Sequence, residues 1–409
     1  MALSYVDCIA DLYRRQGGGI RLGLGRMADL LKQLGQPQAQ LRCVLVAGSN
    51  GKGSTARLIA GGLMASGLRV GLYTSPHLLR FAERIRIDGQ PISAAAVTAA
   101  YPRLQAAAAA CAEAPSFFEM ATAMALLHFA AAAVDWAVLE VGLGGRLDAT
   151  NLAPRALTVI TPIALDHCAL LGDSLAAIAG EKAGIMRAGC PVVVAPQPAA
   201  AAVALRQAAR AVAAPWIDAD PLLPCPGPSW PAYQAVNLAT AAAACRWLGV
   251  EAAAWARAQA AFDWPGRYQW LEPDTAPTTG PVLLDGAHNP AAMTALLAAM
   301  AVDERARGLP WRALVGALAD KDVAAMLAPL AASGMPIHLC GLSVRRGLTA
   351  AAWRRQRPEL PVYPDLPTAL TALQRAAPTA PILVTGSLFL VADALAHLTG
   401  AARDLPVAG

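Results

Sequence analysis

Residues 44–55 read VLVAGSNGKGST and combine an apolar run, three glycines and a lysine, a composition suited to binding phosphate. A β-branched run that ends in a glycine-rich turn and then opens a helix presents free backbone N–H groups to an anion, and Lys52 adds a positive charge. The match to the GxxxxGK[ST] pattern is imperfect, because Val46 stands at the first glycine position and Gly53 displaces the hydroxyl by one place to Ser54. The stretch predicts a phosphate loop of another kind, with an ordinary glycine turn as the alternative.

Polar side chains also follow three other predicted strands. TSPHL occupies 74–78, Glu140 lies within LEVGLGGRLDATN, and ITPIALDH ends in Asp166 and His167. Because parallel strands end at the same edge of a sheet, these clusters are predicted to converge beside the phosphate loop. Magnesium takes one or two carboxylates together with phosphates and waters, and a histidine ligand would also suit manganese. The alternatives are a paired core carboxylate for Glu140, a helix cap for His167 and a plain turn for TSPH.

The secondary-structure pattern that must position these residues is an alternation of short β-rich runs with alanine-rich helical windows. Such alternation is typical of βαβ units and a largely parallel sheet covered on both faces. In the first part of the chain we predict strands at 41–46, 69–73, 136–141, 156–161 and 191–195, and helices near 54–66, 119–133, 174–187 and 199–213. The proline-rich stretch 215–233 is predicted to be irregular, with a helix starting near Gln234.

The alternation restarts after a second break, EPDTAPTTGP, which is polar and rich in proline and threonine. In this second block we predict strands at 281–285, 312–318, 336–341 and near 361 and 381, and helices at 290–300, 321–332 and from about 388. The predicted fold class is α/β: a P-loop domain with a mostly parallel sheet over 1–270, a linker at 271–280, and a smaller Rossmann-like α/β domain over 281–409.

Composition limits the classes of function. The 409 residues carry a formal charge of +5 with dispersed arginines, which suits acidic small molecules at least as well as nucleic acid. Much of the apolar content is alanine, no uncharged apolar stretch reaches about 18 residues, and MALSYVDC has no basic region followed by an apolar one. The eight scattered cysteines show neither CxxC nor metal spacing. We expect a cytoplasmic protein without disulfides, membrane spans or a nucleic-acid partner.

Eight motifs in order carry a resemblance to a known family. They are GSNGKGS (48–54), YTSPHL (73–78), SFFE (116–119), LEVGLGGRLDATN (139–151), TPIALDH (161–167), EKAGIMR (181–187), PGR (265–267) and DGAHNP (285–290). The chain resembles the dihydrofolate synthase/folylpolyglutamate synthase family of folate ligases, relatives of the Mur peptide ligases. LGLGRM at 22–27 and GSLFLVADAL at 386–395 extend the likeness nearly from end to end.

The resemblance implies a set of ATP and metal residues. Those implied to bind ATP are Asn50, Gly51, Lys52, Gly53, Ser54, Asn237, Arg267 and Asp285. Those implied to hold Mg²⁺, with Mn²⁺ as an alternative, are Ser75, Glu140 and His167. Lys182 in EKAGI matches a lysine that the family carries as a carbamate, which converts an ammonium into a metal-binding carboxylate. His288 is implied to lie near the phosphates or the incoming glutamate, and the implied catalytic set is Lys52, Glu140, His167, Lys182 and His288.

The resemblance also implies a pteroate-binding region. Its residues are Ser116, Phe117, Phe118, Glu119, Leu147, Asp148 and Ala149. Three positions depart from some relatives: SFFE is aromatic where others have threonine and tyrosine, Arg21 stands at an acidic position, and Tyr233 stands at a polar one. These departures leave the preferred pterin open.

The implied activity is an ATP-dependent ligation of L-glutamate to dihydropteroate, and of further glutamates to reduced folate, by a monomer acting through an acyl phosphate. The alternatives are a monofunctional folylpolyglutamate synthase, a Mur-type amino-acid ligase acting on another acid, and, outside enzymes, a switch NTPase. A Mur-type ligase would be expected to lack SFFE and LGLGRM. A switch NTPase has no need of a second α/β domain.

Overall fold

The computed structural model describes residues 3–18, 21–219, 230–273 and 278–404. Within these residues the first sheet has eight strands in the order β4-β3-β2-β5-β1-β6-β7-β8. In chain order they are β1 (Cys43–Ala47), β2 (Val70–Tyr73), β3 (Ile85–Ile87), β4 (Gln90–Pro91), β5 (Trp136–Glu140), β6 (Arg155–Ile160), β7 (Val192–Val194) and β8 (Trp216–Asp218). The pairings are parallel except for those that β3 makes with β2 and β4.

The central strand β1 shows why the sheet is covered on both faces. All five of its residues are buried, and successive side chains enter opposite clusters: Leu45 joins the core on one face, while Val44 and Val46 join the core on the other. A strand that is apolar at every position can only be buried between two helical layers. The phosphate loop therefore leaves the centre of a two-sided α/β layer.

Helices form these two layers. In chain order they are α1 (Tyr5–Arg14), α2 (Gly25–Gln33), α3 (Lys52–Ala65), α4 (Ala94–Ala109), α5 (Phe117–Ala131), α6 (Cys168–Leu171), α7 (Leu175–Ala183), α8 (Ala199–Ala211), α9 (Ala232–Trp247) and α10 (Ala252–Ala260). On one face, α3 packs against α9 and α10. The opposite face is covered by the packed pairs α4 with α5 and α7 with α8, with α1 and α2 against α5.

A second sheet follows, with six strands among the described residues in the order β13-β12-β11-β14-β10-β9. They are β9 (Gln269–Leu271), β10 (Val282–Leu284), β11 (Arg312–Val315), β12 (Ile337–Cys340), β13 (Val362–Tyr363) and β14 (Ile382–Thr385). The pairings are parallel except for that of β9 with β10. The helices of this part are α11 (Pro290–Val302), α12 (Val323–Ala332), α13 (Ala350–Gln356), α14 (Leu366–Ala376) and α15 (Leu388–Thr399).

The predicted fold class is confirmed, and several details differ from the sequence prediction. The helices α1, α2 and α4 and the short strands β3 and β4 were not predicted. The α7 helix ends at Ala183 rather than near 187, because Gly184 packs against the backbone of Arg146. Strand β8 forms within the stretch predicted to be irregular, and 220–229 of that stretch lie outside the described residues. Strand β9 reaches residue 271, where the linker was expected to start, and it pairs with β10 of the second sheet although most of it lies in the range predicted for the first domain. In the described part of the chain, helices long and apolar enough to span a membrane are absent.

Candidate active site

The loop between β1 and α3 leaves a helix N-terminus open. Gly51 precedes the helix in the left-handed region (φ +82°), and no side chain caps the first turn. The first half of the loop is fixed to the chain after β6: the backbone N–H groups of Ser49 and Asn50 both donate to the Pro162 carbonyl oxygen, at 3.0 and 3.2 Å. The result is a rigid loop that presents free N–H groups and a helix dipole to an anion.

Two glycines of this loop lie against side chains from other elements, and at Gly51 the neighbour leaves no space for a Cβ. A Cβ at Gly51 would overlap Asn237 Oδ1 of α9, and its left-handed backbone would be strained in addition. A Cβ at Gly53 would already touch Glu140 Oε2 and the ring of Trp264, each at 3.4 Å. The side chain of residue 53 would therefore face the Glu140 carboxylate, whereas the hydroxyl of Ser54 is one position further along the helix.

Two lysines meet at one carbonyl oxygen of the loop. Lys52 Nζ donates to Gly48 O at 3.2 Å and to Ser49 O at 3.1 Å, and Lys182 Nζ, from the last turn of α7, donates to Gly48 O at 2.8 Å. Lys182 is 4% exposed. Burial, reinforced by the positive charge of Lys52, lowers the pKa of Lys182 from 10.5 to about 7. A substantial fraction of this side chain is thus a neutral, nucleophilic amine near neutral pH.

Glu140 ends β5 directly beside the loop that follows β2. Its Oε2 accepts the Ser75 backbone N–H at 2.8 Å, which brings the Ser75 side chain next to the carboxylate. Burial raises the pKa of Glu140, against the opposing influence of Lys52, the Ser75 N–H bond, Arg267 and Arg84. A divalent cation would offset this cost of burial.

The loop that carries Ser75 is held by Glu83. The Glu83 carboxylate accepts three successive backbone N–H groups, those of Leu78 (2.9 Å), Leu79 (3.0 Å) and Arg80 (2.8 Å). Glu83 therefore fixes the chain just after Ser75 and has a structural role.

His167 precedes α6 in the left-handed conformation (φ +53°). It lines a small cavity of about 20 Å³ that is also lined by Lys52, Lys182 and Asp166. Burial lowers the pKa of His167 to about 4, with Lys321 and Lys52 acting in the same direction and Asp166 against it. The imidazole is neutral at neutral pH, as a metal ligand must be.

The residue types implied for the metal site suit a hard divalent cation bound jointly with phosphate; the structure pairs Ser75 with Glu140, and His167 lines the cavity with Lys52. Within the described ranges, no three His, Cys, Asp or Glu side chains lie together in a metal-binding group. Ser75, Glu140 and His167 offer one hydroxyl, one carboxylate and one imidazole, which leaves several positions for phosphate oxygens and water. That small donor set is typical of Mg²⁺ and also suits Mn²⁺.

Asp166, adjacent to His167, contacts two loops of the second domain. Its carboxylate accepts Lys321 Nζ at 2.6 Å and Asn289 Nδ2 at 3.3 Å, and it lies 3.5 Å from His288 Nε2. Burial alone would raise the pKa of Asp166, but hydrogen bonding to His288 and the charge of Lys321 outweigh it and hold that pKa well below its usual range. The carboxylate is ionised and connects the two domains at the cavity.

The nucleotide-binding candidates occupy the domain junction. Asn237 abuts Gly51 of the phosphate loop, and Arg267 crowds Gly286 on the second domain. Asp285 is buried and accepts Tyr233 Oη at 2.7 Å, together with the backbone N–H groups of Tyr268 and Ala287, each at 2.9 Å. Its carboxylate is therefore largely engaged within the chain. Tyr233, which departs from some relatives, takes one of these bonds.

The first group of pteroate-binding candidates opens α5. Ser116 and Glu119 form a reciprocal capping box, and Glu119 also pairs with Arg26 at 3.2 Å. Phe117 stacks on Tyr13 with ring centroids 5.2 Å apart. The Phe118 ring packs against Gly142 and occupies the space that a side chain at that residue would fill. The polar atoms of this group stabilise the helix start, and Phe117 is buried, so Phe118 is the ring of the pair that remains partly exposed.

The second group lies in the loop after β5. The Asp148 carboxylate accepts the N–H groups of Gly142, Leu143 and Thr150, each at 3.0 Å, and the Thr150 hydroxyl at 2.6 Å. Asp148 thus shapes the loop from within, and Ala149 is buried beside it. Leu147, in contrast, is exposed and available to a ligand.

The chain is similar to a family of known ligases. Residues 266–388 match the family model described as Mur ligase, glutamate ligase domain. The folylpolyglutamate synthase of Lacticaseibacillus casei is 35% identical over 419 residues, which cover 92% of this chain and 94% of that protein. This chain belongs to the folylpolyglutamate synthase family.

Other members of the folylpolyglutamate synthase family extend the match. The probable bifunctional folylpolyglutamate synthase/dihydropteroate synthase of Haloferax volcanii is 35% identical over 95% of this chain, and the chain spans 49% of that longer protein. Escherichia coli FolC in complex with DHPP and ADP has a TM-score of 0.84 at 32% identity and covers 96% of this chain and 97% of its own. The bifunctional Yersinia pestis enzyme complexed with AMPPNP and Mn ion has the same TM-score and identity, over 96% and 98% of the two chains.

Some residues of the site were not predicted from the sequence. Lys321 lies in ALADKD after β11, and its place just beyond a strand of a parallel sheet was the signal that could have found it. Arg84 is buried, donates to His77 Nδ1 at 2.8 Å and lies 5.0 Å from the centroid of the Phe117 ring. It places a cation within the aromatic group that precedes and opens α5.

Proposed function

We propose that this member of the folylpolyglutamate synthase family is an ATP-dependent ligase that joins L-glutamate to dihydropteroate and extends reduced folate with further glutamates. The observation that carries the proposal is the meeting of Lys52 and Lys182 at Gly48 O, beside the Ser75 and Glu140 pair. ADP and DHPP in the E. coli relative, and AMPPNP and Mn in the Y. pestis relative, support the nucleotide, the pterin and the metal.

The chemistry requires activation of a carboxylate, whose direct leaving group would be oxide. Phosphorylation by ATP gives an acyl phosphate, which the glutamate amine attacks before phosphate leaves. The open N-terminus of α3 and Lys52 bind the phosphates and offset the charge that develops during transfer. Asn50, Gly51, Gly53 and Ser54 complete the loop. Asn237, Arg267 and Asp285 hold the rest of the nucleotide across the junction.

Ser75, Glu140 and His167 are the proposed ligands of Mg²⁺ or Mn²⁺. The bound cation supplies charge neutralisation between phosphate oxygens. Within the chain, Glu83 fixes the loop of Ser75, and the Ser75 N–H fixes Glu140. Because His167 has a low pKa, it keeps a lone pair free for coordination at neutral pH.

Lys182 is proposed to carry a carbamate. Its neutral amine attacks CO₂ at carbon, the new N–C bond forms as one C=O π pair moves to oxygen, and a proton leaves the nitrogen. Burial supports this step because it makes the neutral amine available near neutral pH. The product exchanges a buried cation for an anion next to Lys52 and the proposed metal.

The second domain is proposed to bring glutamate to the acyl phosphate. His288 lies at the cavity through its contact with Asp166, near where the amine must attack. Closure of this domain over the phosphate loop would exclude water, which otherwise hydrolyses an acyl phosphate. The pteroate would lie against Phe118 and Leu147. The buried Phe117 and Ala149, the capping box of Ser116 and Glu119, and the Asp148 loop would shape that surface from beneath.

Phosphate release from the purified protein tests the proposal, with ATP, Mg²⁺, L-glutamate and dihydropteroate present and each omitted in turn. We expect turnover that needs all four and an amide product detected by mass. Turnover indifferent to the pterin would refute the proposal and favour a switch NTPase or a ligase for another acid. Replacing dihydropteroate with tetrahydrofolate tests chain extension, and activity with tetrahydrofolate alone would indicate a monofunctional folylpolyglutamate synthase.

A further inference from the structure

Lysine is rare in this chain. The sequence has 4 lysines and 29 arginines among its 33 basic residues. Lys32 lies on the exposed surface of α2, whereas Lys52, Lys182 and Lys321 all lie at the site between the domains. An ammonium is a compact point charge, while a guanidinium is a wide planar fork. A lysine kept at the site of an arginine-rich chain is therefore a candidate for a role that needs the compact ion. Of the three lysines at the site, Lys321 has no role assigned so far.

Lys321 pairs with Asp166 across the domain boundary. Nζ lies 2.6 Å from Asp166 Oδ1, with both side chains nearly buried at 6% and 7% exposure, and 3.4 Å from His167 Nε2. A buried ion pair has paid the desolvation of both charges, so loss of one partner leaves the other uncompensated. The Lys321–Asp166 pair can form only when the two domains are together.

The same carboxylate gathers a second loop of the second domain. Asn289 Nδ2 donates to Asp166 Oδ2 at 3.3 Å and to Asn50 Oδ1 of the phosphate loop at 2.8 Å, and Asn289 Oδ1 accepts Asn50 Nδ2 at 3.4 Å. His288, the preceding residue, also faces Asp166. Asp166 therefore holds both second-domain loops against the loop that binds phosphate.

We propose that Asp166 and Lys321 form an interdomain brace, a pair of positioning residues that seats the second domain on the phosphate loop for the amide-forming step. The brace rests on the proposed ligase function for its catalytic consequence. The phosphate loop proposed to bind the nucleotide phosphates belongs to the first domain, so the brace contributes to glutamate attack and to water exclusion more than to phosphate binding. Without the brace, ADP still binds, but water hydrolyses the acyl phosphate before the glutamate amine attacks it.

The test compares Asp166→Asn, Lys321→Met and the double variant with the wild type. Lys32→Met is the matched control, since it removes an exposed lysine that lies outside the site. Three quantities are measured: the Kd for ADP by calorimetry, the ratio of phosphate released to amide formed, and the radius of gyration by small-angle X-ray scattering. The double variant leaves no unpaired buried charge, so it tests the brace even where a single variant does not fold.

We expect each single variant to form amide about 100-fold more slowly, as for a small misplacement of reacting groups, with ADP affinity within about threefold of the wild type. The double variant should be no slower than the singles, because the two residues act as one unit. The ratio of phosphate to amide and the radius of gyration should rise in all three and stay unchanged in Lys32→Met.

Two results would overturn the brace. One is a double variant with the wild-type rate and radius of gyration. The other is an Asp166→Asn enzyme that works normally while Lys321→Met does not, which would place Lys321 on the substrate itself. The scattering measurement needs no turnover. A wild-type protein that forms no amide would therefore refute the proposed function, while the radius of gyration would still decide on the brace.

Discussion

Lys182 and Lys52 donate to the same acceptor, the carbonyl oxygen of Gly48, at 2.8 and 3.2 Å. Two ammonium groups this close repel each other, and burial adds to the cost of charging Lys182. The repulsion is relieved when Lys182 is neutral, and it becomes attraction when Lys182 carries a negative charge.

Incubation with ¹³C-labelled bicarbonate should give a carbamate signal in the carbon NMR spectrum of the wild type. The signal should be absent from Lys182→Arg, which keeps a cation that cannot take up CO₂. That variant should also lose ligase activity. A labelled carbamate of equal intensity in Lys182→Arg would assign the modification to another amine.

Replacement of Lys182 by methionine should stabilise the protein most at low pH. The folded pKa is about 7 against 10.5 in a free side chain, so between these values the unfolded chain binds more protons and the stability of the wild type rises with pH. Below pH 7 the penalty is fully present. In CO₂-depleted buffer, the excess melting temperature of Lys182→Met over wild type should fall as the pH rises from 7 to 10.5. An excess that does not depend on pH, or one equal to that of Lys32→Met, would contradict a buried amine.

Glu140→Gln should raise the Mg²⁺ concentration needed for half-maximal activity by at least about 10-fold, since changes around a metal commonly cost that much. The amide can still accept the Ser75 N–H, so the loop should persist and the melting temperature should not fall. Glu359→Gln, which changes an exposed carboxylate paired with Arg357, is the control. An unchanged magnesium dependence would remove Glu140 from the metal site.

Gly51→Ala should abolish ATP binding, whereas Gly249→Ala should not. Both glycines have left-handed backbones, with φ of +82° and +80°, so both alanines carry a strain of about 1 kcal/mol. Only the Cβ at residue 51 meets another side chain, that of Asn237, while residue 249 faces open space. Calorimetric titration with ADP measures the difference. Equal affinities in the two variants would mean that Asn237 moves aside without consequence.

Glu83→Ala should lower the free energy of unfolding by about 2 kcal/mol, because it leaves three backbone N–H groups without their charged acceptor. It should also weaken magnesium activation, since the loop of Ser75 loses its fixed conformation. Urea denaturation and a magnesium titration report the two effects. Glu251→Ala, at an exposed helix start whose side chain makes no cap bond, is the control. A destabilised variant with normal magnesium activation would show that the conformation of the Ser75 loop does not affect the metal site.

The parts of the site that follow strands could be predicted from the sequence. Glu140 is the last residue of β5, and Lys52 and His167 lie in the segments that follow β1 and β6; in a parallel sheet such positions share one edge. The pairing of Lys321 with Asp166 could not be predicted this way, because the two residues are 155 positions apart and follow strands of different sheets. Sequence pattern specifies an edge within a sheet but not how two sheets face each other.

The role of Asp148 shows a second limit. Its motif matches a substrate-binding region, yet its two oxygens accept four hydrogen bonds from its own loop. A motif identifies a residue that matters but does not distinguish a carboxylate that touches ligand from one that shapes the loop around it. The end of α7 was misplaced for a related reason, because the contact between Gly184 and Arg146 is long-range.

The distribution of lysines also makes the molecule easy to label. An amine-directed acylating reagent will find the exposed Lys32 readily, while Lys182 and Lys321 are shielded by burial and Lys52 is half-buried at the phosphate loop. A dye or a solid support attached at Lys32 therefore lies outside the cleft. Protection of the Lys52 peptide from the reagent becomes a direct gauge of how much of the protein holds nucleotide.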